Sequence, residues 1–175
     1  MSRTVCLRYR KAITEGSMLV LDPSSGGTSN KGVESNAGWA VFKEGKLAES
    51  GILELDHGEK KEVRLRRLGA FMLSDFGHHD LFVIEDITGY KAPKTLIQAC
   101  GGLITNTKSD GLIEMNVRTW QAIALRLGGW EKSDEADAIY MGWACVAFAL
   151  GYNQKDTEDR RECVLKEVRE LMLAS

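Results

Sequence analysis

Proline is almost missing from this sequence, with two among 175 residues. A chain with so little proline does not carry a long extended linker, and its length fits one domain, with or without an appendage. Long apolar runs are missing too. A membrane-spanning helix needs about 20 consecutive apolar residues, and no stretch here approaches that. The apolar run behind the basic N-terminus, Met18–Leu21, is too short for a signal peptide and runs into Asp22. The four cysteines, Cys6, Cys100, Cys145 and Cys163, form no C-x-x-C pair, and no cysteine and histidine lie at zinc-finger spacing. This speaks against a zinc module. Cysteines within apolar runs read as small buried hydrophobes and suit a reducing compartment. The expectation is a soluble, cytoplasmic protein that spans no membrane. His57, His78 and His79 are not at metal-ligand spacing, and His78–His79 reads as a turn.

An excess of positive charge is absent as well. Lysine and arginine number 23 against 25 acidic residues, a net charge of −2, which is not the bulk signature of a basic nucleic-acid binder. Net charge hides patches, however. Arg3, Arg8, Arg10 and Lys11 form one basic cluster, and Lys60, Lys61, Arg64, Arg66 and Arg67 form another. Each reads equally as a solvated face. An excess of carboxylates is also what a protein needs if bound cations are to neutralise part of its own charge.

What the chain does have is a 43% hydrophobic composition, enough for a core, and 18 glycines that mark tight turns between many short elements. Residues 1–17 are a basic lead-in, with Val5–Tyr9 as a short strand. Met18–Leu21 is a buried strand closed by Asp22-Pro23. Residues 24–37 are a polar, glycine-rich loop. Gly38–Phe42 is a second strand, Glu44–Lys46 a hairpin turn, and Leu47–Leu55 a third strand with Ile52, Leu53 and Leu55 in its core. Glu59–Phe76 has helical spacing, with Val63, Leu68, Phe71, Met72 and Phe76 toward one face. Asp80–Glu85 is a buried strand ending in an acid. Pro93 opens a helix running to about Asn106, Leu112–Asn116 is the fifth strand, and Arg118–Leu127 is a helix closed by Gly128-Gly129. Asp134–Leu150 is a strongly apolar helix. Thr157–Leu173 is a last amphipathic one with Val164, Leu165, Val168, Leu171 and Met172 inward. Three strands in a meander followed by strand–helix–strand crossovers give an α/β fold, a mixed five-stranded sheet with helices on both faces.

Apolar elements that end in carboxylates are the main chemical signal, because burying an unpaired carboxylate is costly. Asp22 ends the first strand and Glu85 the fourth. Asp134 and Asp137, three apart in the first turn of an apolar helix, point the same way. Taken singly, each has an ordinary reading. Asp22 before Pro23 is a turn residue, Glu85 is the partner of a lysine such as Lys91, and Asp134 is a helix N-cap with Asp137 favoured by the helix dipole. Taken together they point elsewhere. Neighbouring strand ends lie about 5 Å apart, so Asp22 and Glu85 meet if their strands are adjacent, and a helix bringing two more acids to that edge completes an all-oxygen cage. Such a cage suits Mg²⁺ or Mn²⁺ rather than zinc. Two such ions about 4 Å apart clamp a phosphodiester, one activating water and the other stabilising the leaving oxygen.

Leu19–Ser25 (LVLDPSS) resembles the opening strand of the RuvC-like Holliday junction resolvases, whose first catalytic aspartate precedes a proline and a small residue. Gly38–Phe42 (GWAVF) resembles their second strand, Phe82–Glu85 (FVIE) the strand that carries their catalytic glutamate, and Asp134–Ala138 (DEADA) their C-terminal D-x-x-D-A motif. The resemblance covers roughly residues 18–150. It implies an RNase H-like fold, in which the glutamate ends the fourth strand as in RuvC-like proteins rather than lying on the preceding helix as in RNase H proper. It implies that Asp22 bridges two Mg²⁺ ions, that Glu85, Asp134 and Asp137 complete their shells, and that cleavage leaves 5′-phosphate and 3′-hydroxyl ends. Asp86 points to the other face of its strand and is not expected to be a ligand. The family's partners would be four-way junction DNA and a second copy of the chain, with the helix after Glu85 contributing to a homodimer. Its segment Gln98–Gly102 is rich in small residues that permit close approach.

Tyr90 is a candidate to stack on an unpaired base, and Lys91, Lys94, Arg118 and Lys132 are candidates to hold phosphates. The same residues read as an ordinary surface. The chain departs from the family in a short Gly128–Ser133 connection, in Gln121 where a lysine is often found, in a longer loop 24–37, and in two additions, the basic lead-in 1–17 and the C-terminal helix within 151–175 that packs on the 18–150 nuclease domain. These departures bear on substrate. The first expectation is a Mg²⁺-dependent, structure-selective DNA endonuclease that resolves Holliday junctions by paired nicks. A flap, R-loop or RNA-hybrid nuclease, or a catalytically idle RNase H-like binding module, stay open.

Overall fold

The apolar run Met18–Leu21 becomes the middle of the molecule. The computed structural model describes residues 3–23, 36–56, 58–74, 76–86, 94–128 and 133–175. In it the run forms β1 (Ser17–Asp22), whose four central residues are at most 1% exposed, as a strand covered on both faces must be. The sheet grows outward from β1. β2 (Ala37–Lys43) pairs antiparallel with it and β3 (Lys46–Leu53) antiparallel with β2. On the other flank β4 (His79–Asp86) pairs parallel with β1, and β5 (Ser109–Asn116) parallel with β4. The order β3-β2-β1-β4-β5 is the mixed five-stranded sheet expected from the sequence. The β2–β3 turn places Glu44 and Gly45 at φ of 53° and 74°, the left-handed pair that two-residue hairpins require.

Helices cover both faces. On one side α3 (Lys61–Ser74) and α4 (Lys94–Asn106) make the β3–β4 and β4–β5 crossovers. There Leu68, Phe76, Cys100 and Leu103 pack on Leu19, Leu21, Phe82 and Ile84. On the other side α5 (Val117–Leu127), α6 (Asp134–Ala149) and α7 (Glu158–Leu173) close over Met18, Val20, Leu81 and Val83. The alternation of strand side chains thus sorts β1 and β4 cleanly, with even positions of β1 and odd positions of β4 facing α6. Helix α6 is buried along nearly its whole surface, from Ala138 to Ala149, which is why its sequence is apolar all round. It lies along β2. A Cβ at Gly38 would come 1.7 Å from the Asp134 carbonyl oxygen, and one at Gly142 would come 2.1 Å from the Phe42 ring. Eight helical residues and four strand residues cover nearly the same length, about 12 and 13 Å. The two glycines therefore let helix and strand touch at both ends.

Four expectations are corrected. Val5–Tyr9 is not a strand: α1 (Arg3–Arg8) and α2 (Arg10–Glu15) are helices. Val5, Cys6, Tyr9, Ala12 and Ile13 pack toward α6 and the sheet, a helical spacing that a five-residue window does not reveal. Ile52 lies outside the core at 45% exposed, because β3 ends at Leu53 on the sheet edge and the buried position is Leu55 beyond it. Val63 is exposed at the start of α3, where the basic turns face solvent. His79 is not in a turn but opens β4, buried beside Phe76. The side chain of Met72 and the whole of loop 24–35 lie outside the described residues.

Candidate active site

The four acids singled out by the sequence are delivered to one corner of the sheet. Leu21 is the partner of Ile84, so one residue further Asp22 stands beside Glu85 at the ends of two parallel strands. Asp22 shares the side of β1 occupied by Met18 and Val20, and Glu85 the side of β4 occupied by Leu81 and Val83, so both face α6. On the other flank of β1, Asp22 pairs with Gly38, and the Asp134 backbone rests on Gly38. Asp137 is one turn further on, close enough to Glu85 for its charge to act on it. Asp86, the next residue of β4, falls on the opposite side of the strand.

Each carboxylate has a local reason for its position. Ser133 caps α6, its hydroxyl accepting from the Ala136 N–H at 3.1 Å. That role does not fall to Asp134, whose Oδ2 accepts the backbone N–H of Asn36 at 2.8 Å. Asn36 in turn accepts the Leu55 N–H at 3.0 Å through its Oδ1. Glu135, the acid between, is turned to β3, where it accepts the Ser50 hydroxyl at 2.7 Å. Glu85 Oε1 accepts the indole N–H of Trp120 at 3.3 Å. Trp120 is 1% exposed in the core under α5, so this donor is fixed by packing.

The electrostatics are those of an acid cluster. Burial pushes the Glu85 carboxyl above its ordinary value, the Trp120 N–H pulls it back, and the charges of Asp137 and Asp86 push it further up. From the other face of the sheet, the Cys100 thiol is pushed up to about 12, by burial first and then by the negative charges of Glu85, Asp22 and Glu114. The donors are all oxygens, which fits a hard divalent ion. In the side-chain positions present, no three acids, histidines or cysteines among the described residues converge on a single point. Glu85 is turned to Trp120 and Asp134 to Asn36.

The nucleic-acid candidates are placed less completely. Arg118 is exposed in the first turn of α5, whose N-cap Asn116 pairs with Asp86 at the same end of the sheet. Lys94 opens α4, with its side chain outside the described residues, as are Tyr90, Lys91 and Lys132 altogether. Trp120 and Asn36 were not identified from the sequence. A tryptophan in an amphipathic helix reads as core, and Asn36 as one more polar loop residue. A concavity of about 560 Å³, lined in part by Trp39, Phe71, Phe76 and His79, lies on the α3 face and contains none of the four acids.

No family model matches this chain, and no curated protein does. Solved structures do. Thermus thermophilus RuvC in complex with a Holliday junction substrate superposes with a TM-score of 0.55 at 14% identity, over 75% of this chain and 92% of that one. A second structure of Thermus thermophilus RuvC gives 0.51 at 15% identity, over 77% and 96%. The fowlpox virus Holliday junction resolvase gives 0.44 at 15%, over 74% and 97%, too loose a superposition to add to the first two. At these identities the likeness is one of architecture, and it is a consistent one: the chain has the RNase H-like fold of the RuvC structures, and its four acids stand at one corner of that fold's sheet.

Proposed function

We propose that this protein is a divalent-metal-dependent endonuclease that acts on branched DNA, most simply the four-way junction. The observation that carries the reading is the meeting of Asp22, Glu85, Asp134 and Asp137 at one sheet corner, on one face, from three separate elements. Packing alone gives no reason for apolar elements to end in four carboxylates at one corner, since burying charge is costly. The solved RuvC complex with a Holliday junction substrate makes a junction the first substrate to test.

Mg²⁺ or Mn²⁺ held by these carboxylates would supply the charge that a phosphodiester requires, for activating water and for stabilising the departing 3′ oxygen. The chain's own residues do the positioning. Asp22 occupies the centre, flanked by Glu85 on one side and by Gly38 with Asp134 on the other. Trp120 holds one Glu85 oxygen. Asn36 fixes Asp134 relative to the end of β3. The bare acid corner repels a polyanion, so productive DNA binding there depends on the cation. The helix α4 supports pairing of two copies: Ile97 is 55% exposed on it, and the Cβ positions of Gly101 and Gly102 meet only open space among the described residues. Two copies would give two cutting sites for opposed strands.

The test is a labelled synthetic four-way junction incubated beside a fork and a linear duplex. Each is run with Mg²⁺, with EDTA and with Asp22→Asn. Symmetric nicks in the junction, lost with EDTA and with the variant, are expected. Cutting only of the fork or flap would reassign the substrate, and cutting only of RNA hybrids would move the activity toward RNase H. Junction binding without any cutting would leave a binding module.

A further inference from the structure

The fold sends the two basic stretches of the sequence to opposite ends of the sheet. Strand β3 runs toward the acid corner, since its last residue Leu53 pairs with Ala37, and the next residue Gly38 pairs with Asp22. The chain beyond β3 stays there: Leu55 is hydrogen-bonded to Asn36, and Asn36 to Asp134. A turn follows, with the Glu59 N–H donating to the Asp56 carbonyl at 3.1 Å and the Gly58 N–H to the Asp56 carboxylate at 2.8 Å. Helix α3 then begins. Lys60 is thus five residues from Leu55, a reach of about 17 Å at full extension, which the turn shortens. Lys60, Arg64 and Arg67 fall on one side of the helix start at i, i+4 and i+7 spacing. Lys60 and Arg67 are exposed. Arg64 donates to the Glu59 carbonyl and so straps the helix start in place, while Arg67 remains 54% exposed although it pairs with Glu59 at 3.3 Å.

The other basic stretch is elsewhere. Arg8, Arg10 and Lys11 line a groove of about 510 Å³ together with Leu150. Leu150 follows the last residue of α6, whose 16 residues separate it from Asp134 by about 24 Å. That is more than two Debye lengths at physiological salt, about 8 Å each.

We propose that the start of α3, through Lys60 and Arg67 with Arg64 between them, is the surface that holds the sugar-phosphate backbone of the DNA next to the cleaved bond, and that the lead-in cluster is not. This inference rests on the nuclease reading of the acid corner and adds to it the path of the strand, from the acids across the end of β3 onto α3. A polyanion approaching a chain of net charge −2 and a corner of four acids needs fixed positive charge within screening distance of that corner. Of the two basic clusters, the α3 start is the one that the chain ties to the acid corner, through Leu55, Asn36 and Asp134. Its half-buried Glu59 partner does not block the role, because the Arg67 guanidinium stays 54% exposed and open to a competing phosphate.

The test measures binding of the full chain to a labelled four-way junction across a series of salt concentrations, with Ca²⁺ replacing Mg²⁺ to hold the complex uncut. The variants are Lys60→Gln/Arg67→Gln, the charge reversal Lys60→Glu/Arg67→Glu, and the control Arg8→Gln/Arg10→Gln/Lys11→Gln, each checked by circular dichroism and thermal melting. Expected is an affinity loss of about tenfold for the first variant, with a salt slope shallower by roughly two because two phosphate contacts are gone. The reversal should lose more, and the control should stay within about twofold. An unchanged affinity and slope in both α3 variants would overturn the inference, and so would an equal loss in the control, which would mean a diffuse field in place of a defined surface. If the wild type cuts and binds no DNA at all, the nuclease reading falls and this inference with it. If the wild type cuts junctions while the α3 variants bind as well as it does, only the inference falls.

Discussion

Strand β4 carries an acid near each end, and the two behave in opposite ways. Asp80, near the start, accepts the Ser17 backbone N–H at 2.7 Å and the Ser17 hydroxyl at 3.0 Å. Those hydrogen bonds hold its carboxyl below the ordinary value. Glu85, five residues on, receives one longer bond from Trp120, is buried, and faces the charges of Asp137 and Asp86, which leave its carboxyl above the ordinary value. The strand, the sheet and the residue chemistry are nearly shared. The difference lies in who satisfies the charge. The protein itself satisfies Asp80, which joins the start of β1 to β4. Glu85 is held by the longer Trp120 bond and stays raised. An acid whose donors are internal is held in its charged form, and an acid pushed toward its protonated form is a candidate for a functional site.

The largest test of that contrast is removal of a charge at the open end. Asp22→Asn should lower junction cleavage by about 10³-fold or more while the melting temperature stays level or rises, because a repelling charge is gone. A melting temperature that collapses would make Asp22 structural, like Asp80. Gly38→Ala strikes the same corner through the backbone. Its Cβ would overlap the Asp134 carbonyl, so α6 must shift at its first turn, at a cost of about 3 kcal/mol. Cleavage should fall about 100-fold from misplaced acids, read as activity per folded molecule.

Trp120→Phe keeps a ring in the core but removes the N–H held by Glu85. A drop of about 10-fold in Mn²⁺ affinity, measured by calorimetry, is expected, the scale usual for groups that orient a metal ligand. Unchanged affinity would mean that the indole only packs. The pH response separates the two acids further. Because the Glu85 carboxyl is raised above its ordinary value of 4.5, the stability it contributes is full below that value and is lost as pH rises through the folded-state value. Metal-free Glu85→Gln should therefore lack that loss and melt higher than wild type at neutral pH. Asp80 has the opposite sign. Lowered from 3.8, it stabilises the fold above that value and loses this contribution as pH falls below it. Asp80→Ala should cost roughly 1 kcal/mol, a melting shift of a few degrees, with cleavage unchanged. A cleavage defect there would blur the contrast.

Much of this was legible in the residues. Strand β1 was visible as an unbroken apolar run, β4 as another, and α6 as a helix too apolar to lie on a surface, since burial on every side leaves no room for polar residues. The hairpin turn showed in Glu44-Gly45. The helices α1 and α2 were not legible. Their six-residue lengths carry less than two full turns each, and their helicity comes from packing against α6 and the sheet rather than from local preference. Ile52 and Val63 were misplaced because hydrophobicity marks what can be buried, while the sheet edge and the helix start decide what is. Within the candidate site the four acids stood out, but Trp120 and Asn36 did not. Their roles depend on partners 35 and 98 residues away, and no local pattern encodes such a distance.

The sequence by itself determined the sheet strands, the central helix and the presence of carboxylates at their ends, because periodicity and the cost of burying charge act over a few neighbouring residues. Only the tertiary structure decided that those carboxylates meet. The parallel register of β1 and β4 sets Asp22 beside Glu85, and the missing side chain at Gly38 lets α6 come down onto β2 beside them. It also decided which basic stretch lies near the acids and which lies at the far end of α6. Strand direction and helix length fix those separations, and both are properties of the folded chain as a whole.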